Sequence, residues 1–361
     1  MAKMQERERL LLVAPYEDEP AMLQALSQGL DVEVQTELFR TQREVAAGVW
    51  RRHGHIWRSA WVAFRQRHRV GYIVFGEQFI GLYYACLMRL LGWGQPGPRT
   101  AVLQLIYNRR PGWKGALYHA IYRWLVSSPS LDVLVCAASF ERALYAKEFG
   151  PEVDRKLVFI PFGRNKPLAA GEGRDAERAA EGGFFFTGGT SNRDYPTLVE
   201  AFRGLPYRLE IACYPGDVAG LELPSNVSVL HGVFDDEFKQ KVRDCLAVVI
   251  PIRKADVSAG QLVLLDAMRL GKASIVTQGS CMEDYVDDSC ALRVPGQDAA
   301  ALRAAIERLA GDADLRRQLG ETAAERYARQ FTRQAFGRHI AAALKGRVDP
   351  LERAIHQEGN P

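Results

Sequence analysis

Residues 248–277 read VVIPIRKADVSAGQLVLLDAMRLGKASIVT. An apolar run stops at Pro251, a basic polar loop follows, Ser258 and Gly260 come next, and a helical period runs from about Gln261 to Leu270 before a second β-branched run at Ser274 to Thr277. Strand, loop, helix and strand in that order make one unit of a parallel α/β sheet, because a crossover helix is needed to bring the chain back parallel. The helix opens at a glycine. Its unpaired N–H groups and positive dipole end make an anion site, Gly260 lets a phosphate approach the backbone, and Arg253 and Lys254 stand in the loop leading to it. A diphosphate is therefore expected against Ser258, Ala259, Gly260 and Gln261, with Asp266 accepting both hydroxyls of a ribose. The plainer alternative for Asp266 is a partly exposed helix residue.

Upstream, FFFTGGTSNRDYPTLVEAF (184–202) repeats the theme of a strand feeding a glycine turn and a helix. Gly188 and Gly189 permit close backbone approach, Thr190 and Ser191 can donate hydrogen bonds, and Arg193 has the fork geometry that suits phosphate oxygens. Asp194 reads as an N-cap. Further out the alternation continues. Strands are expected near 9–14, 32–36, 70–75, 100–106, 131–136 and 157–160, and again in GGFFFTGG, YRLEIAC, NVSVLHG, CLAVVIP and KASIVTQ. Between Gly163 and Gly183 apolar periodicity gives way to Gly, Ala and charge, which reads as an interdomain connection. The expected organisation is α/β: a Rossmann-like domain over 1–165, a linker over 166–183, a second Rossmann-like domain over 184–335, and a last helix and tail over 336–361. From Asp298 the sequence is helical in period, punctuated by Gly311, Gly320 and Gly337.

Composition agrees with two packed domains: 361 residues, 47% hydrophobic and 25% charged, exclude a disordered or fibrous chain. Six dispersed cysteines without a Cys-x-x-Cys pair read as buried thiols. The start MAKMQERERLLLVAP lacks a signal-peptide core, and no uncharged apolar run reaches the roughly 18 residues that span a bilayer, so a cytoplasmic location is expected. The net charge of +4 is uneven. Residues 1–166 hold 23 Lys+Arg against 15 Asp+Glu, and the rest 24 against 28; all six tryptophans lie in the basic half. Such a half suits an anionic or interfacial partner, with core tryptophans and a solvated basic face as the alternative. Over 45–68, Val49, Trp50, Ile56, Trp57, Ala60, Trp61 and Phe64 fall near one helical face with arginines around it, which predicts an amphipathic helix making peripheral contact with an anionic membrane. Nucleic acid is not an expected partner.

The chain resembles the GT-B glycosyltransferases, specifically the family 4 retaining enzymes that use a nucleotide-sugar donor. The resemblance runs from about Leu131 to Gly346, is strongest between Phe184 and Pro295, and rests on SAGQLVLLDAMRLGKASIVTQGSCMEDYV set against the family pattern EGFGLVLLEAMAAGKPVVAT. It implies two Rossmann-like domains facing a central cleft, with the donor on the second and the acceptor on the first, and a last helix returning to the first domain. It also implies that Gly232 and Val233, after His231, hold the base through backbone atoms. Departures bear on mechanism. The family's Glu-x7-Glu is here Ser258-x7-Asp266, so the acid that contacts the donor sugar is a serine. The Arg and Lys that usually follow the first strand of the second domain become Gly189 and a shifted Arg193. Arg193, Arg253 and Lys254 are therefore expected to stabilise the leaving diphosphate, without a metal or other cofactor. The histidine usual after the fourth strand is absent, and TAVLQLIYNRRP offers Gln104, Tyr107 and Asn108 instead. Gln104, Asn108, Arg109 and Arg110 are the expected acceptor side, suited to a glycan or a lipid-linked acceptor. The alternatives are a nucleotide-sugar epimerase of GT-B shape and a non-catalytic glycosyltransferase-like binding protein.

Overall fold

The computed structural model describes residues 9–14, 20–38, 49–92, 97–164, 183–233, 235–279 and 281–346. They fall into two compact units, one from Met1–Ile160 with Arg333–Pro361 and one from Pro161–Thr332. The expected linker at 166–183 lies almost wholly outside the described residues, as does the tail after Pro350.

In unit 1 six parallel strands, β1 (Arg9–Ala14), β2 (Glu33–Leu38), β3 (Tyr72–Phe75), β4 (Arg99–Val102), β5 (Val133–Cys136) and β6 (Leu157–Phe159), lie in the order β2-β1-β3-β4-β5-β6. Side chains alternate across a strand, so β1 sends Leu11 and Val13 to one core and Leu10, Leu12 and Ala14 to the other. The first core is closed by α2 (Val49–Gln66), α3 (Gln78–Leu91) and α4 (Gly112–Val126), with α5 (Ser139–Phe149) and α6 (Pro151–Asp154) beside them. The second core is closed by α1 (Pro20–Leu30) and the last helix, α12 (Arg333–Leu344). The two helices touch through glycine: a Cβ on Gly29 would lie 2.6 Å from Ala341 Cβ, and one on Gly337 would lie 2.9 Å from the Met22 carbonyl. Gly337 thus marks a close approach, not the end of a helix.

His339 on α12 carries a buried Nδ1 without a hydrogen-bond partner, and burial, helped by Arg338, pulls its pKa down to about 4. An imidazole that resists protonation in the fold binds fewer protons than in the unfolded chain between about pH 6.5 and 4. Stability should be unaffected above that window and fall as pH drops through it. In urea titrations at pH 7 and pH 5, His339→Gln should flatten the difference between the two midpoints.

Unit 2 repeats the plan. Strands β7 (Phe184–Gly188), β8 (Arg208–Ala212), β9 (Val227–Leu230), β10 (Ala247–Ile250), β11 (Ser274–Thr277) and β12 (Leu292–Val294) are all parallel, in the order β12-β11-β10-β7-β8-β9. Its helices are α7 (Tyr195–Phe202), α8 (Asp235–Asp244), α9 (Gln261–Arg269), α10 (Ala299–Gly311) and α11 (Ala313–Gln330). The strand order reverses between β7 and β10, the position where open α/β sheets bind ligands beyond their carboxyl ends. Caps fall where the sequence has acids: Asp194 accepts from Thr197 N–H, Asp298 from Ala301 N–H and Asp312 from Leu315 N–H.

Three details differ from what the sequence predicts. β12 is an addition, because three residues at a sheet edge carry too little periodicity to be read. The run Leu103 to Tyr107 leaves the sheet after Val102, although Leu103 N–H still bonds the Phe75 carbonyl and Leu105 N–H that of Val135. The amphipathic face of α2 is divided: Ile56, Ala60 and Phe64 are buried in the first core, Trp57 and Trp61 stay half exposed, and the side chains of Val49 and Trp50 lie outside the described residues. A stripe broad enough for both jobs is drawn into the core first, since the sheet beneath it is otherwise uncovered.

Candidate functional site

The loops that leave β7 and β10 are tied together. Asn192, in the left-handed region at φ 55°, donates to the Lys254 and Val257 carbonyls and accepts from Lys254 N–H, while Arg253 N–H bonds the Asn192 carbonyl and Asp194 N–H that of Pro251. The two stretches singled out in the sequence thus form one structure at the switch point.

Beside it a pocket of about 390 Å³ opens over the carboxyl ends of β7, β8 and β9. Gly189 and Thr190 line it from β7, Ala212, Cys213 and Tyr214 from β8, and Leu230, Gly232 and Val233 from β9. Helix α8 adds Phe238 and Lys239, and α9 adds Leu262, Val263, Asp266 and Arg269. Gly188 lies just behind, where a Cβ would run into the Phe238 ring. Burial pushes the Cys213 thiol up to about 11, so at neutral pH it is a small apolar wall.

Gly260 caps α9 at φ 92°, a left-handed conformation that only glycine adopts without strain. The first intrahelical bond of the turn runs from Leu264 N–H to the Gly260 carbonyl, so the amides of Gln261, Leu262 and Val263 have no partner inside the helix. Leu262 and Val263 are the pocket-lining residues of that turn.

Asp266 is buried one turn further along, and Arg164 grips it, Nη2 to Oδ2 at 2.6 Å and Nε to Oδ1 at 3.3 Å. Arg269 Nε stands 3.9 Å from Oδ1. Arg164 is itself held by its backbone, whose N–H bonds the Phe331 carbonyl. Arg164, Arg269 and Lys239 bring three cations to the pocket against the one carboxylate of Asp266.

The cations named from the sequence are elsewhere. Arg193 folds back on its own loop, Nε donating to the Gly188 carbonyl at 3.1 Å and Nη1 to that of Ser191 at 2.7 Å, and burial lowers its pKa. With Tyr195, whose hydroxyl donates to the Gly189 carbonyl, it braces the turn and does not line the pocket. Arg253 and Lys254 are exposed, and the pocket wall does not include their side chains. Nor does it include Ser191, Ser258, Ala259, Gly260 or Gln261. Ser258 Oγ and Gln261 Nε2 are nevertheless buried without a hydrogen-bond partner. Asp266 does reach the pocket, but with both oxygens engaged by Arg164, an arrangement the spacing of Ser258 and Asp266 could not foreshadow. Arg164 and Lys239 escape the sequence reading because they lie outside the two quoted stretches, Arg164 directly after KLVFIPFG; Arg269 lies within 248–277, but its place late in the helix gives no sign that it lines the pocket.

In unit 1, Arg109 Nη1 pairs with Glu148 at 2.9 Å, Arg110 lies over the Tyr118 ring, and Asn108 is exposed with them while Gln104 is half-buried. Among the described residues no three His, Cys, Asp or Glu side chains gather as a metal site.

Residues 183–312 match the family model described as Glycosyl transferases group 1. No curated protein matches the sequence significantly. Among solved structures, sucrose-phosphate synthase from Thermosynechococcus elongatus is similar at a TM-score of 0.67 and 17% identity, covering 94% of this chain and 99% of that one. Anabaena HepE, solved with UDP and glucose, is similar at 0.64 and 11% identity over 94% and 99% of the two chains. A glycosyltransferase from Rickettsia africae is similar at 0.58 and 13% identity, with the same coverage. Residues 183–312, about a third of the chain, thus resemble a group 1 glycosyl transferase domain, and the chain as a whole has the two-sheet α/β fold of these solved structures.

Proposed function

We propose that this glycosyltransferase moves a sugar from a nucleoside-diphosphate sugar, seated in the unit 2 pocket, to a glycan or lipid-linked acceptor in cell-surface polysaccharide or glycolipid synthesis. The observation that carries the donor half is charge. Arg164, Lys239 and Arg269 against Asp266 leave the pocket wall positive, although Lys239 also pairs with the exposed Asp236 at 3.0 Å, and this suits the negative charge of a linked diphosphate, to which the first-turn amides of α9 add hydrogen-bond donors. The apolar side formed by Leu230, Val233 and Phe238, with Tyr214 at the mouth, suits a flat base. HepE was solved with UDP and with UDP-glucose, which supports the same class of donor here.

In the transfer the bond from the sugar's anomeric carbon to the diphosphate breaks and a bond to the acceptor oxygen forms. With retention, a donor phosphate oxygen takes the acceptor's proton on the same face, so the missing histidine is tolerated. The leaving charge is met by Arg164, Lys239 and Arg269 in place of Arg193, Arg253 and Lys254. No metal is needed in this reading, and turnover should be unchanged by a chelator. The reading includes a cytoplasmic enzyme in peripheral contact with an anionic membrane.

Calorimetry of the purified chain against UDP, GDP, ADP and dTDP should show saturable binding of at least one of them; a flat response to all four would remove the donor assignment. Product analysis then separates transfer, which needs an acceptor, from epimerisation, which does not.

A further inference from the structure

From residue 45 to residue 131 the chain holds twelve Lys+Arg and a single acid, Glu77. That stretch contains α2, α3 and α4, which pack side by side over one face of the unit 1 sheet. Their inner sides fill the core. Their outer sides mix cations such as Arg58, Lys114 and Arg123 with large apolar residues. On α4, Trp113 is 73% exposed, Leu117 55%, Ile121 50% and Trp124 41%, and at 100° per residue these four positions lie within about 80° of one another. The buried residues of that helix, Gly115, Tyr122, Leu125 and Val126, occupy the opposite side, so the stripe is no part of the core. Leu90 and Leu91 at the end of α3 and Trp57 and Trp61 on α2 are exposed as well.

Cations are interleaved with these rings. The Arg89 guanidinium lies 5.1 Å from the Trp124 ring and Lys114 Nζ 5.6 Å from that of Trp113. None of α2, α3 and α4 has an acidic residue to neutralise them. An apolar stripe rimmed by arginine, with indoles at its edge and no carboxylate within it, is matched in charge by an anionic surface whose interior is hydrocarbon. No helix of the described residues is long and apolar enough to cross a membrane, so the contact lies in the interface.

We propose that the α4 stripe, with Leu90 and Leu91 of α3, is a docking face for an anionic phospholipid bilayer, into whose headgroup layer Trp113, Leu117 and Ile121 insert. This rests on the membrane part of the function proposed above and deepens it. It moves the inserting face from α2, whose Ile56, Ala60 and Phe64 are committed to the core, to α4.

The experiment is sedimentation of the full chain with vesicles of phosphatidylcholine alone or of phosphatidylcholine with phosphatidylglycerol, read together with tryptophan fluorescence. All six tryptophans lie between residues 50 and 124, so a blue shift on binding reports from unit 1. Pelleting is expected with anionic vesicles, at least tenfold above neutral ones and lost in high salt. Leu117→Glu and Ile121→Glu should abolish it. Arg123→Ala and Lys114→Ala should each weaken it by about fivefold. Leu223→Glu, an exposed leucine of unit 2, should leave it unchanged. Equal binding to both vesicles, or none, overturns the proposal, as does a concentration-dependent dimer that Ile121→Glu dissociates, since a second copy would then cover the stripe. Nucleotide binding measured on the same protein keeps the docking face and the donor site apart: it involves no residue of α4, so absence of vesicle binding with UDP-type binding intact sinks the docking face alone.

Discussion

Asp266→Ala is expected to cost the protein both stability and the nucleotide binding proposed for it. The carboxylate is buried between two guanidinium groups, and the Arg269 side chain is nearly as enclosed as its own. Removing one member of a buried ion pair leaves the other charge uncompensated, which costs about 3–5 kcal/mol. Arg164→Ala is milder for the fold, because Asp266 keeps Arg269 3.9 Å away and Arg164 is partly open to solvent. Its effect falls on the ligand. Loss of a charge-assisted contact to the diphosphate, about 1.5–3 kcal/mol, is roughly a ten- to hundredfold weaker association. The pair of variants separates two roles. Thermal unfolding should drop sharply for Asp266→Ala and slightly for Arg164→Ala, while calorimetry should show weakened nucleoside diphosphate binding in both. Unchanged affinity in a folded Arg164→Ala protein would remove Arg164 from the donor site. Arg193→Ala should behave differently from either: its donors serve the Gly188 and Ser191 carbonyls, so the turn loosens and the affinity falls less than for Arg164→Ala.

The contrast between Arg164 and Arg193 shows what a sequence can and cannot disclose. Both sheets of the chain are legible because a parallel strand buried on two faces has to be written as a continuous apolar run, and VVI, FFF and LLLV are such runs. The turn that opens α9 is legible because a left-handed residue at a helix start leaves a glycine in the sequence, and Gly260 at φ 92° is that residue. The direction of a long cationic side chain leaves no such mark. Arg193 sits beside the right turn yet spends its donors on two carbonyls of its own loop. Arg164 and Asp266 are 102 positions apart, and nothing local to either foretells their bidentate pairing. The stripe on α4 is hidden for a related reason. Apolar residues at helical spacing predict one buried face, and α4 has two apolar faces, only one of which meets the sheet.

Gly320→Ala is expected to destabilise unit 2 strongly, and the same glycine shows why an apparent helix breaker need not be one. Gly320 lies in the interior of α11, where alanine in an open helix would gain about 1 kcal/mol. Here a Cβ would run into the carbonyl oxygen of Gly271 and lie 2.8 Å from its carbon. No flexible side chain can yield, because the obstruction is backbone. Gly271 is itself fixed at φ 63° where the chain turns out of α9, with its N–H on the Met268 carbonyl. The methyl group has to push α11 away from the α9 exit or drive α9 along its axis, and overpacking of that kind outweighs the gain in helix propensity. A net loss of about 3 kcal/mol is expected, which for a unit of this size lowers its unfolding midpoint by roughly 6 to 12 °C. Gly311→Ala is the control: nothing lies within 4 Å of its Cβ position, so the midpoint should hold or rise. Because α9 carries Leu262, Val263 and Asp266 into the pocket, displacement at its far end should also reach the ligand. A Gly320→Ala protein that remains folded at low temperature should therefore bind the nucleoside diphosphate more weakly than Gly311→Ala does. Equal stability of the two variants in calorimetric scans would mean that α11 and the α9 exit do not meet as closely as their backbones indicate.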